Sequence, residues 1–168
     1  MFELNNKVII VSGGTGILGA AFIKAIASQG GKVVILGRNE QIGNKRAAEI
    51  NKEGAEAIFI AADVLEKEQL ELARDKVLST FGRIDGLVNG AGGNIPEAVL
   101  TPDKDVFDLN IEGVQKAMNL NLWGTVLPVQ IFGPEIVKSG NGSIVNISSV
   151  SSVRAITRVL GYSMGKAA

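Results

Sequence analysis

Short apolar runs alternate with stretches of helical periodicity along nearly the whole chain. The apolar runs at 8–11, 32–36, 57–61, 84–88 and 143–147 are interpreted as strands. Helices are predicted at 18–28, 40–51, 67–81 and around 114–137, with a last helix that begins near residue 160. A chain of this pattern must join its strands through helical crossovers, which restricts it to an α/β fold.

Near-continuous apolar strands suit a parallel sheet that is covered by helices on both faces. Right-handed crossovers then wind the strands into a Rossmann-type, doubly wound sheet, for which we predict the strand order 3-2-1-4-5. No repeat or low-complexity linker divides the 168 residues, so we expect 1–168 to form one domain. The outer edge of the fifth strand is expected to lack a cover.

The charge balance and the residue counts restrict the classes of binding partner and the cellular location that we expect. Lys plus Arg and Asp plus Glu both number 17, without a charged block at either end, so neither nucleic acid nor an acidic membrane surface is indicated. The N-terminus lacks a leader pattern, and no apolar run approaches membrane-spanning length. Without cysteine, disulfides and thiolate metal sites are excluded, and we predict no metal. A small-molecule partner and a cytoplasmic location are therefore expected.

A glycine-rich loop follows the first strand and leads directly into the first helix. It reads Ser12-Gly13-Gly14-Thr15-Gly16-Ile17-Leu18-Gly19. Glycines there allow positive φ and let the backbone approach a pyrophosphate at the helix N-terminus, where N–H groups and the helix dipole favour anions. Such loops also serve packing alone, but strand, loop, helix and strand within ~30 residues indicate dinucleotide binding. No Lys-Ser/Thr follows the loop, which argues against a nucleoside-triphosphate P-loop.

The end of the second strand bears on the choice between NAD(H) and NADP(H). An acidic residue there would bind the 2′-hydroxyl of NAD, whereas this sequence has Arg38, which suits a 2′-phosphate. We therefore favour NADP(H) and keep NAD(H) open, since Arg38 is also interpretable as a solvated helix-cap residue. Asp63, after the third strand, is interpreted as a helix-capping turn residue, as a partner of the adenine amino group, or as both.

The single tyrosine, Tyr162, stands four residues before Lys166 at the start of the last predicted helix. One helical turn separates the two side chains, so they share a face. A nearby ammonium favours the phenolate and would bring the phenol toward the range useful for acid/base chemistry. The sequence has neither His nor Cys, so such chemistry must use Tyr, Lys, Ser, Asn or a carboxylate. Alone, this spacing is more typical of an ordinary amphipathic pair.

Six sequence elements together resemble the short-chain dehydrogenase/reductase family, and the resemblance runs from about Lys7 to the last residue. They occur in the family's order: the glycine loop, Asp63-Val64, Asn89-Gly90-Ala91-Gly92, Asn121-Leu122-Trp123-Gly124-Thr125, Ile147-Ser148-Ser149-Val150 and Tyr162-Ser163-Met164-Gly165-Lys166. The resemblance implies a nicotinamide-dependent oxidoreductase, a homo-oligomer (dimer or tetramer), and a sequence that matches only the front portion of a family member, without its later strands and substrate lid.

The resemblance also implies the roles of individual residues. The catalytic set would be Asn121, Ser149, Tyr162 and Lys166, with Ser149 chosen over Ser148 because it lies thirteen positions before the tyrosine. Tyr162 would protonate the carbonyl oxygen of the substrate, and Ser149 would donate a second hydrogen bond to the same oxygen. Lys166 would lower the pKa of the Tyr162 phenol and hold the nicotinamide ribose. Asn121 would anchor a relay water. The implied cofactor-binding residues are Gly13, Thr15, Gly16, Ile17, Leu18, Gly19, Arg38, Asp63, Val64, Asn89, Gly90, Ala91, Gly92, Tyr162 and Lys166.

The sequence differs from the family pattern at two positions. The commoner short-chain form has a glycine where Ile17 stands, and the Gly13-Gly16-Gly19 spacing is shared with epimerase-like members. Gly90 replaces the usual second asparagine, a loss that we expect to matter little. An epimerase or dehydratase that retains its nicotinamide therefore stays open as an alternative. A non-catalytic dinucleotide-binding module also stays open, because the sequence resembles only the front portion of a family member.

A finer resemblance involves the segments Gly90 to Asn94 and Ile156 to Val159, which look like those of the D-mannonate oxidoreductases (fructuronate reductases) within this family. Arg154 and Arg158 lie between Ser149 and the tyrosine, where an arginine would pair with a sugar-acid carboxylate. We expect a polar ketone as the substrate, with a keto-sugar acid as the specific hypothesis. Two solvent-exposed arginines are the alternative.

Overall fold

The computed structural model describes residues 3–154 and 156–168. Its five strands form one parallel sheet in the order β3-β2-β1-β4-β5, as predicted. The strands are β1 (Val8–Ser12), β2 (Lys32–Gly37), β3 (Ala57–Ala61), β4 (Gly86–Asn89) and β5 (Ser143–Asn146). The helices are α1 (Ile17–Ser28), α2 (Glu40–Lys52), α3 (Lys67–Phe81), α4 (Ile111–Met118), α5 (Gly124–Lys138) and α6 (Leu160–Ala167).

Alternating side chains of β1 and β2 divide the core between the two faces of the sheet. Val33 and Ile35 pack with residues of α1 and α2, such as Ile23 and Ile50. On the opposite face, Val34 and Leu36 belong to a cluster with residues of α3 and α5, among them Leu70 and Phe132. The doubly wound arrangement thus follows from strands that are apolar on both faces.

The predicted long helix around 114–137 is divided into three parts. It starts earlier than expected, because the Asn110 side chain caps α4 by accepting a 3.0 Å hydrogen bond from Gly113 N. A π-helical turn at Asn119–Trp123 then separates α4 from α5. Sequence periodicity also missed three 3₁₀ turns, Pro96–Ala98, Val106–Asp108 and Val150–Ser152. The other predicted boundaries differ from the observed ones by at most two residues.

Asp85 fastens the end of the sheet where β1 and β4 begin. Its carboxylate is buried and accepts hydrogen bonds from Val8 N (3.0 Å), Lys7 Nζ (3.1 Å) and the Arg83 guanidinium (2.8 and 2.5 Å). Burial acts to raise the pKa of Asp85, but these donors outweigh it and hold the pKa below its usual range. The backbone carbonyl of Asp85 also accepts from Ser143 N at 3.0 Å, which joins the start of β5 to the same point.

The edge strand β5 is exposed along all four residues, including Ile144 and Val145. Its side chains therefore remain open to solvent on the described part of the protein, which agrees with the expected uncovered edge. None of the helices formed by the described residues has the length and apolar character needed to cross a membrane.

Candidate functional site

A groove opens where the carboxyl ends of β1, β2 and β4 meet, at the point where the strand order reverses on the two sides of β1. Nine of the predicted cofactor residues line it: Gly13, Thr15, Gly16, Arg38, Asp63, Val64, Gly90, Ala91 and Gly92. The sequence did not single out the other three lining residues, Gly37, Ala62 and Leu120. Their side chains carry no polar atom, so no chemical signal in the sequence marked them.

The glycine loop has room only for glycine at two of its positions. Gly13 has φ +68°, and a Cβ there would lie 2.7 Å from both Ala91 N and Gly90 O, so the loop after β4 sets the space at Gly13. A Cβ on Gly19 would overlap Gly13 O and lie 2.7 Å from Gly14 Cα. Gly19 therefore lets α1 approach its own glycine loop.

The first turn of α1 is free to receive an anion. Its cap residue, Gly16, supplies no side-chain cap, and no acidic residue lies in the first turn. The exposed Ile17 and Leu18 begin the helix, where the backbone N–H groups have no intrahelical acceptor. Neither of these side chains lines the groove.

Arg38 and Asp63 face each other across the rim of the groove, with Arg38 Nη1 3.5 Å from Asp63 Oδ2. The helix-cap interpretation of Arg38 is wrong, because the Asn39 side chain caps α2 by accepting from Ile42 N at 2.9 Å. Asp63 likewise does not cap α3, whose cap residue is Glu66. Its Oδ1 instead accepts a 3.0 Å hydrogen bond from Leu65 N within the turn after β3.

The loop after β4 packs tightly onto β1. A Cβ on Gly90 would lie 2.9 Å from Ser12 O, so a side chain at this position requires the backbone to move. Asn89 is buried beneath the loop, away from the groove, and its Nδ2 donates to Asn146 Oδ1 at 2.9 Å. The structure therefore gives Asn89 a partner in β5.

Asn121 is buried in the π-helical turn and holds the loop that follows β4. Its Nδ2 donates to Gly93 O and to Ala117 O, both at 2.8 Å, and its Oδ1 accepts from Gly93 N at 3.1 Å. A Cβ on Gly92 would lie 2.8 Å from Asn121 Oδ1 and 3.0 Å from Lys166 Nζ. Asn121 and Lys166 thus converge on Gly92, at one end of the groove.

Tyr162 and Lys166 both lie in α6, one turn apart, and both are half-buried. Lys166 Nζ donates a 2.8 Å hydrogen bond to Ile147 O, directly after β5. Burial lowers the pKa of the Lys166 ammonium. Two glycines, which the sequence did not single out, let α6 pack closely: a Cβ on Gly161 would lie 3.0 Å from Val114 Cα, and one on Gly165 2.8 Å from Asn121 Cβ. The spacing of these glycines by four residues was the available signal.

The two adjacent serines after β5 have different partners. Ser149 starts the 3₁₀ turn Val150–Ser152, which packs against α6, and its Oγ accepts from Ser151 N at 3.2 Å. Ser148 is exposed, and its Oγ donates to the backbone carbonyl of Lys166 at 3.3 Å. Only Ser149 keeps its hydroxyl hydrogen available for another acceptor in this arrangement.

Arg154 and Arg158 have exposed side chains. Arg158 has φ +68°, an unusual conformation for a residue with a Cβ, and its carbonyl accepts from Leu100 N at 2.9 Å. This bond ties the segment before α6 to the loop that follows the first 3₁₀ turn. The structure thus places both arginines at the surface between Ser149 and Tyr162.

Comparisons with known proteins agree with this architecture. A model of the family described as short chain dehydrogenase matches residues 7–168. UxuB, an uncharacterised oxidoreductase of Bacillus subtilis, is 36% identical over 98% of this chain and 62% of its own length. The 7alpha-hydroxysteroid dehydrogenase of Bacteroides fragilis is 31% identical over 99% of this chain and 63% of its own length.

Two solved structures superpose closely on this protein. One, from Haemophilus influenzae, is described as a proposed D-mannonate oxidoreductase with bound NAD; it is 34% identical with a TM-score of 0.91, over 98% of this chain and 62% of its own. The other is a NAD⁺-bound xylitol dehydrogenase, 26% identical with a TM-score of 0.90, over 99% of this chain and 62% of its own. The sequence therefore spans somewhat less than two thirds of these relatives.

Proposed function

Because this protein belongs to the short-chain dehydrogenase family, we propose that it transfers a hydride between a nicotinamide cofactor and a polar ketone or the corresponding secondary alcohol. The observation that carries the proposal is the convergence of Lys166 Nζ and Asn121 Oδ1 on Gly92, at one end of the glycine-loop groove. A basic group held at the end of this groove can take part in proton transfer beside a bound cofactor, and the amide beside it holds the adjoining loop in place.

The residues of the groove fit a nicotinamide dinucleotide. A side chain at Gly13 or Gly19 would fill the loop, and the uncapped first turn of α1 favours the pyrophosphate. Asp63 and Arg38 stand at the rim beside the end of β2, where an adenosine would be held. When bound, the cofactor supplies or accepts the hydride.

In the proposed mechanism Tyr162 donates its phenolic proton to the substrate oxygen during reduction, and Ser149 donates a second hydrogen bond to the same oxygen. Lys166 stabilises the resulting phenolate, while its contact with Ile147 O holds it beside Asn121 and Gly92. Asn121 anchors the loop after β4 and places a relay water near Lys166. In the oxidative direction Tyr162 takes the proton from the alcohol.

The test is whether the protein consumes the cofactor with a panel of neutral ketoses and keto-sugar acids. The absorbance of the reduced nicotinamide measures this net turnover. Substrate-dependent loss of absorbance supports the proposal. Conversion of a substrate without net change in absorbance would instead indicate an epimerase or dehydratase that recycles its nicotinamide. Binding without any conversion would indicate a dinucleotide-binding module.

A keto-sugar acid is the proposed substrate class, supported by Arg158 in the segment before α6 and by the Haemophilus influenzae neighbour. If Arg158 pairs with a carboxylate, Arg158→Leu should raise KM for fructuronate-like keto acids and leave KM for neutral ketoses nearly unchanged. Arg154→Leu shows whether the neighbouring arginine does the same. Equal slowing of both substrate classes by Arg158→Leu would reject the carboxylate contact.

The preference between the two nicotinamide cofactors belongs to the same proposal. Arg38 at the groove rim supports NADP(H), whereas its ion pair with Asp63 and the NAD in both neighbouring structures support NAD(H). We keep NADP(H) as the proposed preference, because a 2′-phosphate would compete with Asp63 for the Arg38 guanidinium. Relative affinities for the two reduced cofactors test this directly.

A homo-oligomer is also proposed. The α5 side of the molecule leaves Trp123, Val126 and Val137 exposed, and apolar side chains in such a group favour association. Sedimentation at several protein concentrations measures the oligomeric state. A monomer at all concentrations would reject this part of the proposal.

A further inference from the structure

We propose that Arg46, in the middle of α2, is a positioning residue that orients the glycine loop for a pyrophosphate; this rests on the proposed function. A single guanidinium nitrogen, Arg46 Nη1, lies 2.6 Å from Gly14 O and 2.8 Å from Gly16 O. The two carbonyls belong to alternate peptides of the loop that joins β1 to α1. One side chain from a separate helix therefore holds the loop at two points.

The planarity of the peptide bond gives these contacts a consequence for the groove. In a trans peptide the C=O and the following N–H point in opposite directions. Holding the carbonyls of Gly14 and Gly16 toward Arg46 therefore turns the N–H groups of Thr15 and Ile17 away from α2. Thr15 and Gly16 line the groove, so this orientation presents backbone donors to an anion there.

The loop needs such an external clamp because its own residues offer little restraint. Glycines at 13, 14 and 16 lose more backbone freedom on ordering than other residues. Gly16 also caps α1 without a side chain, and the one internal bond across the turn runs from Gly16 N to Gly13 O at 2.8 Å. Gly14 N also donates to Leu36 O at 3.1 Å, and Arg46 adds a further external restraint with a charged donor, which forms stronger hydrogen bonds than a neutral one.

Arg46 acts from behind the loop. It lines a separate cavity between α1 and α2 together with Ala20, Ile23 and Ile50. Arg46 does not line the groove and contacts the carbonyls of Gly14 and Gly16, so the guanidinium acts on a ligand through the loop. Its positive charge adds to that of the α1 N-terminus, and both favour a phosphate in the groove.

The experiment compares Arg46→Met, Arg46→Lys and the control Lys45→Met by calorimetric titration with NADPH, ADP-ribose and adenosine. Lys45 is the exposed neighbour on the same helix, so its variant loses the same charge without touching the loop. Arg46→Met should weaken the binding of NADPH and ADP-ribose by about tenfold or more, and the binding of adenosine by less than about twofold. Lys45→Met should change all three by less than about twofold, and Arg46→Lys should recover part of the ADP-ribose affinity.

Three results would overturn the positioning role. The first is an ADP-ribose affinity in Arg46→Met equal to that of the wild type. The second is a loss of adenosine affinity in Arg46→Met as large as its loss of ADP-ribose affinity. The third is an equal loss of ADP-ribose affinity in Lys45→Met, which would assign the effect to charge alone. If Arg46→Met does not fold, Arg46→Lys decides, since its single ammonium cannot hold both carbonyls in the same geometry and should still lower the ADP-ribose affinity selectively. Wild-type protein that binds no dinucleotide would reject the proposed function itself, before any variant is compared.

Discussion

Asn121 and Gly93 exchange two hydrogen bonds, with Asn121 Nδ2 donating to Gly93 O at 2.8 Å and Gly93 N donating to Asn121 Oδ1 at 3.1 Å. The second hydrogen of Nδ2 goes to Ala117 O, so the buried amide uses both of its donors. Only an amide matches this set of partners, because two carbonyls and one N–H face it. The relationship makes Asn121 the link between the π-helical turn and the loop after β4.

Asn121→Asp should destabilise this link, because a carboxylate accepts from Gly93 N but cannot donate to the two carbonyls. We expect a loss of about 1–3 kcal/mol in the free energy of unfolding and at least tenfold slower turnover. Asn119→Asp, an exposed neighbour in the same turn, introduces the same charge as a control. Denaturant unfolding and steady-state rates measure both effects; identical behaviour of the two variants would remove the special role of Asn121.

Tyr162→Phe should abolish turnover and leave cofactor affinity nearly unchanged, because it removes the proton donor and keeps the ring. Loss of a general acid typically costs ~10²-fold or more in rate. Single-turnover kinetics measure the rate, and titration with NADPH measures the cofactor affinity. Retention of more than a tenth of the rate in an active protein would show that another group donates the proton.

Ser149→Ala should slow turnover, whereas Ser148→Ala should leave it within about threefold, since a hydrogen-bond donor to a developing oxyanion contributes ~10²-fold or more. The two serines are adjacent, and the Ser148 hydroxyl is already directed to the Lys166 carbonyl. Each variant removes a single hydroxyl group from the same short segment, so the comparison shows which of the two hydroxyls contributes to the rate. The assignment is reversed if Ser148→Ala is the slower enzyme.

Arg38→Asp should shift the cofactor preference from NADP(H) toward NAD(H), because it replaces a phosphate partner with a group that repels phosphate and accepts from a 2′-hydroxyl. The ratio of the two dissociation constants should change by about tenfold or more. Lys45→Asp makes the same charge change elsewhere on the surface and corrects for general electrostatics. If the ratio of the two dissociation constants is the same in Arg38→Asp and Lys45→Asp, Arg38 has no role in the choice between the two cofactors.

Stability in acid should depend on Asp85. Its pKa is lower in the folded protein than in the unfolded one, so the unfolded state binds the proton first as the pH falls. The contribution of Asp85 is therefore complete above the unfolded value of about 3.9 and is lost as the pH falls through the lower, folded pKa.

Asp85→Asn should lower the free energy of unfolding at neutral pH by about 1–3 kcal/mol and flatten its decline in acid. Asp75→Asn, which removes an exposed carboxylate paired with Arg74, serves as the control. Urea unfolding at a series of pH values measures the difference. Parallel pH curves for wild type and Asp85→Asn would contradict this assignment.

Local pattern was enough to predict the fold and the place of the groove. Apolar runs identified all five strands, and the glycine loop after residue 11 placed the groove, because backbone conformation and helix dipoles act over a few residues. The boundaries of helices were predicted less well where a side-chain cap or an irregular turn determines where a helix begins or ends. The Asn110 cap started α4 early, and the π-helical turn that holds Asn121 had no periodic signal at all.

Tertiary structure decided the contacts between residues that are distant in the sequence. Gly14 and Arg46 are 32 residues apart, Gly93 and Asn121 are 28 apart, and Ile147 and Lys166 are 19 apart. Spacing from Tyr162 named Lys166 and the family resemblance named Asn121, but the register of β1, β4 and β5 determines which backbone groups they meet. Arg46 carried no sequence signal, because its partners are two carbonyl oxygens that every residue possesses and that only the packing of α2 against the loop brings within reach.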